Sequence, residues 1–310
     1  MLMAGFALLI ASGDFLVKAG VSLAKSFNVS TLVIGVTVVS MGTSLPELFV
    51  SAEAAINGDP EIAMGNIIGS NIANIALVLA ITAMIFPMAV KKISVFFDTP
   101  FMIAASILLY LFLLDNQLSL YEGLIFVVLL GLFVFWAFRR AKHGMPLKTV
   151  SDDKPQYSKL MAFVVIVISS VGLKYGAKWL VDGARFVAEQ FHISKTIIAI
   201  TLVAFGTSVP ELATSVIAAI KKQPDISVGN IVGSNIFNIL GVLGATSIIK
   251  PIEITDPSIR GFHLYWMLAI ALLLFILVLP LFKLKVHRIK GFLFFMVYIL
   301  YIFSMIRQGL

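Results

Sequence analysis

The chain has 310 residues, 60% hydrophobic and 13% charged, with a net charge of +7, four His and no cysteine. A soluble domain of this length needs far more polar surface, and the lack of cysteine excludes disulfides and thiolate metal sites. The positive charge does not point to nucleic acid, because the basic residues lie in short loops between apolar runs.

Those runs are long enough to cross a bilayer, which takes about 20 mostly apolar residues. In chain order they predict ten spans, near 2–23, 29–56, 60–86, 97–114, 120–139, 160–187, 193–219, 226–249, 262–281 and 288–307. The first lacks the basic flank and cleavage site of a secretory signal and reads as a retained helix. A large buried all-α core fits poorly, because the polar faces such helices need are missing.

The second span contains "GTSLPEL" (42–48) and the third "GNIIGSNIANI" (65–75). After the fifth span comes a polar stretch with two Pro and seven Lys, Arg or His (139–160), too short for a folded domain. The seventh span contains "GTSVPEL" (206–212) and the eighth "GNIVGSNIFNI" (229–239). Residues 27–80 align without a gap on 191–244, with 28 of 54 positions identical. The chain thus divides into a first five-helix repeat (1–138), a linker (139–159) and a second five-helix repeat (160–310). Five spans per copy is an odd number, so the second copy enters the membrane from the opposite side. Loop charges agree: "NGDPE" (57–61) is acidic and its counterpart "KKQPD" (221–225) is basic. With both termini outside and the linker cytoplasmic, the cytoplasmic loops carry 16 of the 23 Lys and Arg. The expected fold is an all-α integral membrane protein with ten transmembrane helices in two inverted repeats. Such repeats mark transporters that bind cargo near the midplane.

Glu47 and Glu211 each fall about midway along a span, where a carboxylate is costly unless paired or solvated. Thr43 and Ser44 lie four and three residues before Glu47, within reach of one helix face; Thr207, Ser208 and Glu211 repeat the pattern. On the partner spans, Ser70 and Asn74 share a face, as do Ser234 and Asn238. Pro46 and Pro210 remove backbone donors, so carbonyls near Ser40 and Ala204 join the candidate ligands. An all-oxygen set with two carboxylates suits a hard cation. Calcium takes roughly 6–8 oxygens, magnesium prefers to keep its water, and sodium can use the same hydroxyls and carbonyls. Ser and Thr in membrane helices often bond only their own backbone or a neighbour, but duplication of the whole block argues for more. The motif glycines are expected to serve close helix packing. Glu53 has Ile217 as its counterpart and is expected at a vestibule or helix end. Asp14–Lys18 and Lys178–Asp182 are expected local ion pairs.

The paired motifs resemble the two alpha-repeats of the cation/calcium antiporter superfamily, in its prokaryotic sodium/calcium exchanger branch. The resemblance implies a calcium site between the halves flanked by sodium sites, and alternating access by movement of the first and sixth helices. Carried over by position, the ligands are Ser40 (backbone), Thr43, Ser44, Glu47, Ser70, Asn74, Ala204 (backbone), Thr207, Ser208, Glu211, Ser234 and Asn238. Some relatives, including potassium-dependent exchangers, have an aspartate where this chain has Asn238, which argues against potassium co-transport. The implied function is antiport of calcium against sodium across a prokaryotic plasma membrane. The ions are cargo, no cofactor is expected, and a monomer is the expected state. A proton/calcium exchanger on the same fold, or exchange of another divalent cation or of potassium, is the alternative. A cation channel would need a continuous polar pore, whereas the polar residues cluster at one depth. A membrane-embedded enzyme lacks its residues: no metal-protease His pair, phosphate loop or Ser–His constellation appears in the spans.

Overall fold

The computed structural model describes residues 1–143, 154–190, 206–282 and 284–308. Helix α1 (Leu2–Phe27) ends at Asn28, whose left-handed φ of 53° lets its N–H cap the last carbonyls. Helix α2 (Thr31–Thr43) starts at Ser30, which accepts from the Val33 N–H. It breaks at Ser44 and continues, bent by 43°, as α3 (Leu45–Asn57). Then follow α4 (Pro60–Ile85), α5 (Ser94–Asp115) and α6 (Leu120–His143). The second half comprises α7 (Lys159–Gln190), α8 (Val209–Ile220), α9 (Pro224–Ile249), α10 (Ile259–Val278) and α11 (Arg288–Gln308).

Among the described residues, eight helices are long and apolar enough to cross a membrane, and the bent α2–α3 pair makes a ninth candidate. The expected span at 193–219 is seen only from residue 206 onward; its first part lies outside the described residues, as do residues 144–153 of the linker. The all-α expectation needs one small amendment. Strand β1 (Met88–Ala89) pairs antiparallel with β4 (Lys285–Val286), and β2 (Gln117–Leu118) with β3 (Ile252–Glu253). These ribbons tie loops of the two halves together.

Helices α4 and α9 form the centre, each 83% buried, against 22–44% for the other long helices. The rest present apolar side chains outward, such as Phe6, Phe15, Phe163, Ile168, Phe292 and Phe303. That is the arrangement expected of a protein whose solvent is hydrocarbon. Small residues set the close contacts. A Cβ at Gly5 would lie 2.8 Å from the Gly176 carbonyl oxygen, and one at Gly183 2.6 Å from the Leu2 nitrogen, so α1 and α7 pack almost backbone to backbone. The last helix of each half packs on the central helix of the other. A Cβ at Gly123 of α6 would lie 2.8 Å from the Gly244 carbonyl oxygen, and one at Gly291 of α11 2.7 Å from that of Ala80. The halves are interlocked.

The hairpin between α3 and α4 turns at Gly58, φ 93°. Its counterpart between α8 and α9 turns at Lys222, φ 58°, a conformation any side chain except glycine adopts at a cost. The expected role of the motif glycines holds for α9. A Cβ at Gly229 would lie 2.9 Å from both the Leu32 carbonyl oxygen and the Val36 nitrogen, and one at Gly233 2.6 Å from the Val36 carbonyl oxygen. For Gly65 and Gly69 no described atom lies within 4 Å of an added Cβ.

Backbone atoms cannot yield as a side-chain tip can. Gly229→Ala should therefore destabilise the protein by about 1–3 kcal/mol, whereas Gly131→Ala, with open space around it, should not. Thermal unfolding of the two purified variants in detergent checks this.

Candidate cation site

The helix break at Ser44 is where the chemistry begins. Ser44 has φ −85° and ψ 1°, outside the helical region, and Ser208 has nearly the same values, −89° and 1°. Pro46 and Pro210 then fall in the first turn of α3 and α8, where the N–H a proline lacks would have no helical partner. The prolines therefore start new helices more than they damage old ones. Glu47 and Glu211 become first-turn residues, at the positive end of the helix dipole. The carbonyl end of α2 meets the same point from the other side.

Both glutamates are fully buried and interact electrostatically with each other. None of their four carboxylate oxygens accepts a hydrogen bond, although the Thr43 hydroxyl comes near Glu211. No described Lys or Arg pairs with either. The hydroxyls of Ser44 and Ser208, both ends of the Asn74 amide and the Asn238 Oδ1 are likewise buried without partners. Buried polar atoms in proteins are nearly always satisfied, so this concentration of orphaned oxygens calls for partners beyond the described residues.

Around these atoms lies a shell that is paired. Thr43 Oγ1 is 3.2 Å from Ser234 Oγ, and Ser70 Oγ is 3.2 Å from Thr207 Oγ1. The two contacts are counterparts in the repeat alignment, and each joins a glutamate motif to the central helix of the other half. Thr43 Oγ1 also lies 3.0 Å from Asn230 Oδ1 and 3.2 Å from the Ser40 carbonyl oxygen. One hydroxyl proton faces two carbonyl oxygens, while the Ser234 hydroxyl can donate to or accept from Thr43. Ser40 was expected to offer a free carbonyl, but here that oxygen also accepts from the Ser44 N–H at 2.9 Å. Its copy-two counterpart, Ala204, lies outside the described residues.

Two further pairs escaped the sequence reading. Asn66 donates to Ser51 Oγ (3.0 Å) and Asn230 to Ser215 Oγ (3.1 Å), again at matching positions. The signal was present, because all four residues repeat between the copies, yet spacing alone does not say which side chains meet. Wide π-turns at Asn74–Leu79 and Phe237–Leu243 carry Asn74 and Asn238. Each turn packs against the glutamate helix of the other half. Glu53 is exposed, as expected. Asp14 pairs with Lys18 at 2.7 Å and also with Lys221 across to α8 at 2.5 Å. The expected Lys178–Asp182 pair is absent from the ion pairs of the described residues. The described residues hold no cluster of three or more His, Cys, Asp or Glu, so any cation here relies on neutral oxygens beside the two carboxylates.

The family described as Sodium/calcium exchanger protein matches residues 1–139 and 161–307. The chain belongs to the sodium/calcium exchanger family. It is 40% identical over 304 residues to a putative antiporter, CaxA, of Alkalimonas amylolytica, covering 96% of this chain and 95% of that protein. With the sodium/calcium exchanger MaX1 of Methanosarcina acetivorans it shares 31% over 340 residues, covering 97% and 96%. The fold matches the solved sodium-calcium exchanger NCX_Mj with a TM-score of 0.82 at 32% identity, over 98% of this chain and 97% of that one. Members of this exchanger family are multi-pass membrane transporters, not enzymes.

Thr43 is the hub of the paired shell. Thr43→Val leaves Asn230 Oδ1 and Ser234 Oγ short of a partner and should cost about 1–3 kcal/mol. Thr43→Ser should cost less, since it keeps the hydroxyl. Thermal unfolding without added cations distinguishes them.

Proposed function

We propose that the chain is an antiporter that exchanges calcium for sodium by alternating access, with its cation site between Glu47 and Glu211. The observation that carries this reading is the pair of fully buried carboxylates with no counter-charge among the described residues, together with the unpartnered hydroxyl and amide oxygens of Ser44, Ser208, Asn74 and Asn238. A hard divalent cation supplies both the missing charge and the missing partners. The ligands left free in this structure are the side chains of Ser44, Glu47, Asn74, Ser208, Glu211 and Asn238; the hydroxyls of Thr43, Ser70, Thr207 and Ser234 and the Ser40 carbonyl join them by exchanging the hydrogen bonds they now make, and the Ala204 carbonyl completes the set. Sodium ions use subsets of the same oxygens. Relatives named as sodium/calcium exchangers support the choice of ions.

The architecture we propose is ten spans in two inverted repeats, 1–138 and 160–310, joined by a cytoplasmic linker at 139–159. What supports the inversion is the placement of equivalent loops. Strand β1 and its repeat counterpart β3 sit in different ribbons, and β1 is separated from β2, the partner of β3, by the length of α5. The acidic loop bonds on the β3 side, where Glu61 accepts from the Asp256 N–H at 3.1 Å and from the Thr255 hydroxyl. The basic loop bonds on the β1 side, where Asp225 pairs with Lys91 at 2.5 Å. With both termini outside, Lys91 and Lys221 face the cytoplasm of a prokaryotic cell.

Calcium flux into proteoliposomes, driven in turn by sodium, proton and potassium gradients, tests the function. Sodium should drive it; flux that follows only protons would favour the proton/calcium alternative. Glu47→Gln and Glu211→Gln should each abolish flux in folded protein, because each removes half of the compensating charge. Near-normal exchange by either variant would refute the site. Single cysteines placed at residues 57–61 and 221–225 of this cysteine-free chain should label from outside and only from inside, respectively, with an impermeant reagent.

A further inference from the structure

Asn71 is 1% exposed on α4, three residues before Asn74 and outside the set of ligands proposed above. One end of its amide reaches the Asn235 backbone carbonyl oxygen at 3.4 Å and the Met267 sulfur at 3.7 Å. A backbone carbonyl only accepts, so that end is the NH2 group. The other end, the Asn71 carbonyl oxygen, lies 3.1 Å from the Asn238 amide. An acceptor there requires Asn238 to turn its own NH2 toward Asn71. The Asn238 Oδ1 is then the end left over, buried and without a partner. It is carried by the turn Phe237–Leu243, which packs against the helix of Glu47. One main-chain acceptor thus orients two side-chain amides in series, and the series ends with an unpartnered oxygen on the turn that packs against the Glu47 helix.

We propose that Asn71 is a positioning residue that holds the Asn238 carbonyl oxygen toward the cation and commits position 238 to a neutral ligand. The proposal rests on reading Asn238 as a ligand. An aspartate at 238 has no N–H to offer Asn71, so the pair would become two acceptors face to face. Keeping 238 neutral keeps the central carboxylates at two, which match the charge of one divalent cation. The counterpart of Asn71 does not do the same on its side. Asn235 donates to the Ile231 carbonyl oxygen of its own helix at 2.8 Å, and both ends of Asn74 stay without partners. The series is therefore specific to the Asn71–Asn238 side in this conformation.

A double-mutant cycle tests this. Equilibrium binding of calcium and of sodium, and thermal unfolding, are measured on the purified full chain carrying Asn71→Leu, Asn238→Ala or both. Outer-shell partners of metal ligands typically change affinity by about 10–100-fold, so each single variant should weaken binding of at least one ion about tenfold or more. The double variant should bind no worse than the weaker single, within about twofold, because both changes remove the same oriented oxygen. Should Asn71→Leu fail to fold, Asn71→Ala carries the same comparison. Wild-type binding by a folded Asn71 variant, alongside weakened binding by Asn238→Ala, overturns the positioning role and leaves the site reading intact. Losses that multiply in the double variant overturn it as well, since they show two independent effects. Wild-type binding by Asn238→Ala removes Asn238 from the site, and the proposal with it.

Discussion

Two fully buried carboxylates interact electrostatically where no described basic side chain pairs with them. In a low-dielectric interior an isolated buried charge costs several kcal/mol even after the surroundings relax. Removing one glutamate would relieve this. The chain instead keeps both, and the surrounding architecture is arranged around that cost. In each copy a helix starts just before the glutamate, so the carboxylate gains the positive end of a helix dipole. The two glutamate helices then pack against the most buried helices of the molecule, α4 and α9, which bring the polar side chains.

The polar groups at this depth divide into two populations. Thr43, Ser234, Asn230, Ser215, Asn66, Ser51, Ser70 and Thr207 bond to one another, largely across elements. The carboxylates, Ser44, Ser208, Asn74 and one end of Asn238 have no partner. A bundle held only by apolar packing would not sort its polar atoms this way. The paired population fixes where backbone segments sit, and the unpaired one leaves oxygens available. Fully satisfied networks are rigid, and a half-satisfied network is costly unless a ligand completes it. The same division explains why α9 needs glycine at 229 and 233. The pairs between Thr43 and α9 form at hydrogen-bond length only if α2 approaches α9 with almost no side chain between them.

The two halves are alike in sequence without being identical in environment. The α3–α4 hairpin turns on glycine, and the other turns on a lysine held in the same left-handed region. Asp14 bridges α1 to Lys221 of α8, whereas the charge-reversed Lys178 has no such pair among the described ion pairs. The polar contacts are where the two sequence copies differ most visibly.

Much of this was legible in the residues themselves. Hydropathy placed the membrane helices closely, because a helix in hydrocarbon must be apolar for about the thickness of the bilayer. The Thr-Ser-x-Pro-Glu blocks marked the candidate site, because a carboxylate inside an apolar span has few explanations other than function. Self-alignment paired each residue with its counterpart. What the residues could not say was which side chains meet across helices. The Thr43–Ser234 and Ser70–Thr207 contacts, the engagement of the Ser40 carbonyl and the orientation of Asn71 depend on inter-helix distances. Spacing along one helix does not carry that information. The role of Pro46 also changed, from disrupting a turn to opening a new helix, because the bend at Ser44 is set jointly by its packed neighbours. Sequence determined which polar atoms are available in the apolar interior, and only the tertiary packing decided which of them bond to each other and which stay unpartnered.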